Sequence, residues 1–317
     1  MFYFACTQHL SWNHSVKGLT EVDRDLYYLD VRDVGPFNVS GVYFIVSDGI
    51  TLIETGTSLV APYILEAVHV LGFQEKDIRR AIVTHIHLDH SGGTGWLVDR
   101  LPHLEVYVHE KGLKHLHDPT ALIESAKMVY GSLESIRASN GDTLPVPSEC
   151  LKPVLNATLD IGENRSLQLF DAPGHASHHL CIFDPQNGSL FSGEALGHHH
   201  PESGTIQPAV APPGFNYEAS LRTIEKISGL NPTRICFSQH GHGTDTGSII
   251  EQSEQQLRQY YDLILKLLKD GKTAGETAEE LHTELHGNTD DNIQFFRGML
   301  GSIVAGFEIY FKRQGMI

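Results

Sequence analysis

Residues 84–93, which read Thr-His-Ile-His-Leu-Asp-His-Ser-Gly-Gly, constrain this chain more than any other part of it. The run at 80–84 predicts a short buried strand, and the two glycines predict a tight turn into a helix. Side chains alternate along a strand, so the first two histidines should point the same way, and the turn carries the acid and third histidine to a neighbouring point. Neutral imidazoles and carboxylates bind zinc, and two such points make a two-metal site. The candidate ligands here are His85, His87, Asp89 and His90.

The His-x-His-x-Asp-His pattern at 85–90 resembles that of the metallo-β-lactamase-fold hydrolases, and the similarity extends over most of the chain. The resemblance implies an α/β fold, the αββα sandwich, in which two mixed β-sheets pack face to face and helices cover their outer sides. The order of elements agrees, because strands followed by strand–helix alternation occur twice. We therefore expect one such domain over residues 1–246, with a helical insertion at about 110–140, and a C-terminal helical extension over 247–317.

Apolar periodicity and turn residues predict the elements of both halves. Residues 1–40 are expected to be irregular, and 144–147 to link the halves. The predicted strands are 42–46, 50–53, 80–84, 104–108, 158–161, 167–170, 180–183 and 189–191. The predicted helices are 58–71, 94–101, most of 110–140, 247–269, 274–286 and 290–313.

The resemblance implies three further metal ligands, each placed after a strand. His175 ends the turn Asp-Ala-Pro-Gly-His, and Glu194 stands where the family has a bridging aspartate. The stem of Glu194 is one methylene longer, so two readings stay open: it bridges two metals, or it is withdrawn and the second metal is weak or absent. The last ligand is His240, with His242 as the alternative. The three histidines at 198–200 are expected in the pocket wall or an exposed loop, without a metal.

By resemblance these ligands form two positions, bridged by Glu194 and by a hydroxide that attacks the substrate. Asp89 is also the candidate catalytic residue, since it can orient that hydroxide or accept its proton. Two residues are expected to support the ligands: His179, and Glu54, which again replaces a family aspartate. The first position takes His85, His87 and His175, and the second takes Asp89, His90 and His240. Two divalent transition-metal ions per chain are therefore expected; zinc suits the ligands, and iron or manganese accepts the same set.

The expected function is hydrolysis of a small ester, thioester or lactone, as in the glyoxalase II-like branch, whose helical tail this chain resembles. The alternatives are a small-molecule phosphodiesterase of the same fold and a metal-binding protein with little catalysis. β-Lactam hydrolysis ranks lower, because secreted lactamases usually carry a signal peptide and lack the long helical tail. A flavodiiron protein is not expected, because that branch has an acid where this chain has His87 and carries a flavin domain.

Composition narrows the expected partners. The chain carries 23 Lys and Arg against 39 Asp and Glu, a net charge of −16 with no basic run, so a nucleic-acid partner is not expected. The amino terminus lacks the basic segment of a secretory signal and no apolar run spans a membrane, so we expect a cytoplasmic protein with no membrane partner. The resemblance of the helical tail to the glyoxalase II-like branch implies that the C-terminal helices border the site or form a homodimer contact. The four scattered cysteines are expected to be ordinary buried thiols.

Overall fold

Two mixed β-sheets pack face to face at the centre of the protein. The computed structural model describes residues 16–33, 40–200, 203–286 and 293–317. The strands of the first sheet are β1 (Leu19–Asp23), β2 (Leu26–Leu29), β3 (Val42–Ser47), β4 (Gly49–Ile53), β5 (Ile78–Ile82), β6 (Glu105–His109) and β7 (Leu151–Val154). They lie in chain order, antiparallel from β1 to β4 and parallel from β4 to β7.

The second half of the chain forms the second sheet and a small hairpin. Its strands are β8 (Ala157–Gly162), β9 (Arg165–Asp171), β10 (Leu180–Asp184), β11 (Ser189–Gly193), β12 (His198–His200), β13 (Thr205–Gln207), β14 (Arg234–Phe237) and β15 (His242–Gly243). The sheet runs β15-β14-β11-β10-β9-β8, and only the β11–β14 pair is parallel among these strands. β12 and β13 pair with each other as a separate antiparallel hairpin.

An apolar layer between the two sheets holds them together. It is built from alternate residues of the strands, since a strand presents every second side chain to one face. Tyr43 of β3 packs edge-on against Phe191 of β11, with ring centroids 5.2 Å apart. Each large side chain buried there contributes about 1.5–3 kcal/mol. The buried members are Leu26, Tyr28, Tyr43, Ile45, Ile53, Ile82, Ile161, Leu167, Leu169, Ile182, Phe191 and Cys236.

Helices cover the outer face of each sheet. Those of the first half are α1 (Ala61–Val70), α2 (Leu88–Ser91), α3 (Thr94–Arg100), α4 (Leu113–His117), α5 (Thr120–Tyr130) and α6 (Leu133–Asn140), and those of the second half are α7 (Tyr217–Gly229), α8 (Thr246–Lys269), α9 (Ala274–His286) and α10 (Ile293–Arg313). The first sheet shares one buried cluster with α1 and α3, and the second sheet shares another with α7 to α10. No described helix combines the length and apolar character needed to cross a bilayer.

The carboxyl ends of five strands meet at one edge of the sandwich and place the candidate site there. Glu54 follows β4, residues 84–90 follow β5, His175 follows β9, Glu194 follows β11 and residues 238–240 follow β14. Open α/β sheets carry their ligands at this edge, because the loops after the strands converge there.

The structure confirms the predicted αββα sandwich and most of its elements. Residues 1–40 were expected to be irregular, but they include β1 and β2, which extend the first sheet. The alternating apolar residues of these strands predict a strand only weakly, because a cluster of Tyr and Asp lies beside them. The helix in the metal loop begins at Leu88, before the two glycines, so Asp89 and His90 lie in a helical turn. Residues 287–292, which include the predicted start of the last helix, lie outside the described residues, as does Cys6.

The other three cysteines are free and buried, as expected. The predicted division between the sandwich domain and the helical extension at residue 246 stays a prediction. α8 begins at Thr246, and its apolar residues share one core with the second sheet.

Candidate metal centre

Four side chains from both sheets bring one ligand atom each within 4.8 Å of one another: His85, His87, His175 and Glu194. The Nδ1 atom of His87 lies 2.9 Å from Nε2 of His85 and 3.0 Å from Nε2 of His175. The Oε2 atom of Glu194 lies 2.8 Å from Nε2 of His175 and 3.4 Å from Nε2 of His85. A backbone hydrogen bond of 2.7 Å from Leu180 to Thr84 joins the two sheets beside this group.

Outer hydrogen bonds fix which nitrogen of His175 and of His85 carries a proton. Nδ1 of His175 lies 3.1 Å from the carbonyl oxygen of Ala209, which only accepts, so Nδ1 is protonated. Nδ1 of His85 lies 2.9 Å from the Thr84 hydroxyl, which donates to Glu54 and therefore accepts from His85. Both Nε2 atoms are left with lone pairs that point at the same spot.

Electrostatics keep the rings of His85 and His87 neutral. Burial, followed by the charges of neighbouring histidines, lowers the pKa of His85 well below its usual value. Burial and His175 lower the pKa of His87 to about 3. Converging lone pairs repel one another unless a cation lies between them, and three imidazoles with one carboxylate suit a divalent transition metal. The residues present therefore fit one such ion.

Glu194 is held in place from two sides. Its backbone N–H donates to Nε2 of His179 over 3.1 Å, and its Oε1 contacts Nε2 of His198. Burial would raise the pKa of Glu194, but the charges of His175 and His198 bring it well below its usual value. The carboxylate therefore stays ionised, with Oε2 facing the histidines. This contact places His198 beside the site, at the β12–β13 hairpin, and the role expected for residues 198–200 stays a prediction.

Glu54 lies behind His90 as an outer partner. It is fully buried, and its carboxylate accepts from Nδ1 of His90 at 3.1 Å, from the Ser238 hydroxyl at 2.8 Å and from the Thr84 backbone at 3.2 Å. Its ligand atom also lies within 4.8 Å of those of His85 and His90. Its oxygens are engaged by these donors, and the supporting role predicted for Glu54 stays a prediction.

His90 and Asp89 mark a second position beside the first. Nε2 of His90 lies 3.2 Å from Oδ2 of Asp89 and 3.6 Å from Oε2 of Glu194. Burial would lower the pKa of His90, but the carboxylates of Asp89 and Glu54 raise it well above its usual value. This position therefore attracts positive charge, either a proton or a metal ion. Oδ2 of Asp89 also accepts from the Gln239 amide at 3.3 Å.

His240 is turned towards a different partner. Its Nδ1 lies 2.5 Å from Nη1 of Arg32, and its ring lies beside that of His200, with centroids 5.7 Å apart. Burial, then the charge of Arg32, lowers the pKa of His240 to about 4. The backbone of His240 has a φ of 67°, in the left-handed region. The alternative ligand, His242, is exposed on β15.

Two groups of described residues converge closely enough for a metal, and neither contains Asp89 or His240. Which of the predicted ligands bind metal stays a prediction. Sequence reasoning missed Arg32 and Ser238 as neighbours of the site, and it missed the contact of His198 with Glu194. The four-residue spacing from Glu194 to His198 was the one local signal available.

Comparisons with known proteins agree with this fold. The sequence model of the metallo-beta-lactamase superfamily matches residues 34–240. A probable metallo-hydrolase of Bacillus subtilis, YqjP, is 24% identical over 79% of this chain and 83% of its own length. An atrochrysone carboxyl ACP thioesterase of Aspergillus chevalieri is 22% identical over 83% of this chain and 75% of its own. A metallo-β-lactamase family protein of Thermus thermophilus superposes with a TM-score of 0.68 at 20% identity, covering 93% of this chain and 95% of its own.

Proposed function

Since the chain belongs to the metallo-β-lactamase superfamily, we propose that it is a metal-dependent hydrolase of a small acyl substrate, with a thioester preferred over an ester or a lactone. The observation that carries the proposal is the convergence of one ring nitrogen each from His85, His87 and His175 with the ionised Glu194 carboxylate on one point. A buried group of this kind is costly to assemble unless it holds a cation.

A bound divalent cation supplies Lewis acidity and makes a water molecule acidic near neutral pH. The residues around it manage the proton of that water. Asp89 is 23% exposed and lies next to His90, so its Oδ2 can take the proton while the water oxygen adds to the acyl carbon. The carbon–sulfur bond then breaks, and the same proton passes to the leaving sulfur. Gln239, which donates to Oδ2, holds the carboxylate in position.

The sequence-based expectation of two ions per chain, zinc in preference to iron or manganese, stays part of the proposal. His85, His87, His175 and Glu194 would hold the first ion, and Asp89 and His90 would contribute to the second. The supporting observation for the second is geometric, since Nε2 of His90 lies 3.2 Å from Oδ2 of Asp89 and 3.6 Å from Oε2 of Glu194.

The preference for a thioester is supported by two observations. A relative aligned over most of both chains is named an ACP thioesterase. The net charge of −16 disfavours polyanionic substrates, and a neutral acyl group escapes that repulsion. Binding of nucleic acid is therefore not proposed, and neither a dimer nor a cellular location enters the proposal.

The test is a substrate panel run on protein stripped with a chelator and reloaded with zinc. Thioesters, carboxyl esters, lactones and small phosphodiesters are compared, and we expect the highest kcat/KM for a thioester. His175→Ala should remove hydrolysis, whereas His69→Ala, an exposed position on α1, should not. Phosphodiester cleavage without acyl hydrolysis would replace the proposal with its alternative, and equal activity of the stripped protein would end it.

A further inference from the structure

The segment that joins β13 to α7, residues 208–216, contacts His175 at two points. The carbonyl oxygen of Ala209 accepts the Nδ1–H of the His175 ring at 3.1 Å. The backbone N–H of Asn216 donates to the carbonyl oxygen of Gly174 at 2.9 Å, next to His175 in the chain. The direction in which Nε2 of His175 points therefore depends on where this segment lies, since the outer partner of a ligating histidine sets the orientation of its ring.

The last helix, α10, supports the other side of the segment at three points. The buried rings of Phe215 and Phe307 pack edge to face, with centroids 4.9 Å apart. Nη2 of Arg313 donates to the carbonyl oxygen of Phe215 at 2.6 Å. Val210 packs against the bare backbone of Gly306, where an added Cβ would lie 2.5 Å from Cγ1 of Val210. The helix and the segment are thus in direct contact, and a side chain at Gly306 has no space.

The segment makes few hydrogen bonds of its own. Among its nine described residues, one backbone hydrogen bond closes within the segment, from Phe215 to Ala211 at 3.1 Å. A stretch without regular structure takes its position from what packs against it, and a functional side chain is held only as precisely as the residues that support it. The packing of α10 is therefore one of the contacts that fix the Ala209 carbonyl.

We propose that α10 positions His175 for metal binding through the 208–216 segment, and that Gly306 and Arg313 are the positioning residues. The inference rests on the proposed metal centre. It goes further by making the C-terminal helix part of the support of one candidate ligand. Both residues act through the Ala209 carbonyl, which they place where the Nδ1–H of His175 can reach it.

The experiment compares two glycines of the same helix. Gly306→Ala forces a methyl group against Val210 and should displace the Ala209 carbonyl. Gly301→Ala is the matched control, because a Cβ there meets nothing within 4 Å. Both changes add the same helix propensity. In calorimetric titration of the whole chain stripped of metal, Gly306→Ala should weaken the tightest zinc site about 10-fold, as the loss of an outer partner does, and Gly301→Ala should match wild type.

A rescue variant separates positioning from a general loss of stability. Gly306→Ala/Val210→Ala removes the Cγ1 atom that the new methyl group would meet, so it should recover most of the zinc affinity. Val210→Ala also removes buried methyl groups, which by itself lowers stability. Affinity lost through instability would therefore fall further in the double variant, whereas affinity lost through displacement of Ala209 would return.

A second readout needs no metal. In stripped wild-type protein the buried Nδ1–H of His175 is hydrogen-bonded to Ala209, so its proton should exchange slowly with water and give a resolved signal in nitrogen-15 NMR. Gly306→Ala should speed this exchange, and the double variant with Val210→Ala should slow it again. Gly301→Ala should leave the signal unchanged.

A charge-matched pair repeats the test should Gly306→Ala fail to fold. Arg313→Met removes the hydrogen bond to the Phe215 carbonyl and one positive charge. Lys312→Met removes the same charge from the neighbouring residue, whose ammonium group pairs with Glu308 on the exposed side of the helix. Arg313→Met should weaken zinc binding and speed exchange of the His175 proton, and Lys312→Met should do neither.

The outcomes separate this inference from the proposed function. Wild-type zinc affinity and a wild-type His175 signal in both Gly306→Ala and Arg313→Met would overturn the inference and leave the metal centre standing. So would a double variant that binds zinc no better than Gly306→Ala. Wild-type protein that binds no zinc would refute the metal centre, and the His175 signal of the stripped protein would still decide whether α10 orients that ring.

Discussion

His179 accepts the backbone N–H of Glu194 through Nε2 at 3.1 Å, so one histidine positions the carboxylate that three other histidines face. His179 is fully buried, and its ring lies 5.0 Å from that of His85. This hydrogen bond gives His179 a role beside the candidate ligands without requiring that His179 bind a metal itself. The supporting role of His179 stays a prediction, which the following substitutions test.

His179→Ala should weaken binding of the first zinc roughly 10- to 100-fold, because the Glu194 backbone loses its partner and the carboxylate loses its orientation. Calorimetric titration of stripped protein measures the change. His179→Gln offers a carbonyl oxygen that can accept the same N–H, so it should recover part of the affinity. Equal loss in both variants, or none in either, would contradict the positioning role.

Gly193→Ala should destabilise the protein more than an ordinary glycine substitution in the left-handed region. Gly193 has a φ of +55°, and an added Cβ would lie 2.5 Å from Nε2 of His179 and 2.9 Å from Cβ of Thr84. Gly72 is the matched control, since its φ is +87° and a Cβ there meets nothing within 4 Å. We expect Gly193→Ala to lower the free energy of unfolding by about 1–3 kcal/mol more than Gly72→Ala. Urea denaturation of the stripped proteins gives both values, and equal losses would show that the crowding relaxes.

Substitutions of Glu194 should weaken zinc binding according to how much of the side chain's charge and length they remove. Glu194→Gln keeps the size and removes the charge, and Glu194→Asp keeps the charge but withdraws it from His175 and His198. Both should bind the first zinc more weakly than wild type, and Glu194→Ala should bind it most weakly. Equilibrium dialysis with elemental analysis measures the order. Glu75→Gln, in the exposed pair with Arg100, should behave as wild type. Unchanged zinc content in Glu194→Ala would exclude Glu194 as a ligand.

Acid should destabilise the metal-free protein partly through His178. Burial, then the charge of His175, lowers the pKa of His178 to about 4, whereas an unfolded histidine titrates near 6.5. Between these values the unfolded chain binds more protons than the native state, so the free energy of unfolding falls as the pH drops from about 6.5 to about 4. The contribution is fully present above that window. His178→Gln should remove up to about 3 kcal/mol of the fall. Urea denaturation at both ends of the window checks this, and an unchanged pH dependence would contradict it.

The sequence was sufficient for the first group of candidate ligands because their placement depends on local structure. A strand followed by a tight turn fixes where His85 and His87 point, and the Pro-Gly turn does the same for His175. The contacts of Arg32 with His240, and of His198 with Glu194, were not predictable in this way. The contact of Arg32 with His240 depends on how two loops 208 residues apart meet across the sheets, and the contact of His198 with Glu194 depends on how the chain turns into the β12–β13 hairpin. Side-chain charge alone gives no signal for such a meeting.

The backbone conformation of two residues at the site could not be predicted from the sequence either. Glu54 and His240 both adopt a positive φ, at 71° and 67°, although neither is glycine. Such conformations persist only where surrounding contacts determine them. At Glu54 those contacts are donors from two segments, Thr84 and His90 after β5 and Ser238 after β14, and their meeting depends on how the strand ends come together.

The four donors of the first position are divided between the two halves of the chain: His85 and His87 come from the first sheet, and His175 and Glu194 from the second. Neither half carries a complete coordination set. A metal ion bound here is therefore a crosslink between the halves, and its binding energy adds to the adhesion of one sheet to the other. If the two halves were produced as separate fragments, neither would hold a complete set of metal ligands. Zinc would then stabilise only the complex in which the two halves dock correctly.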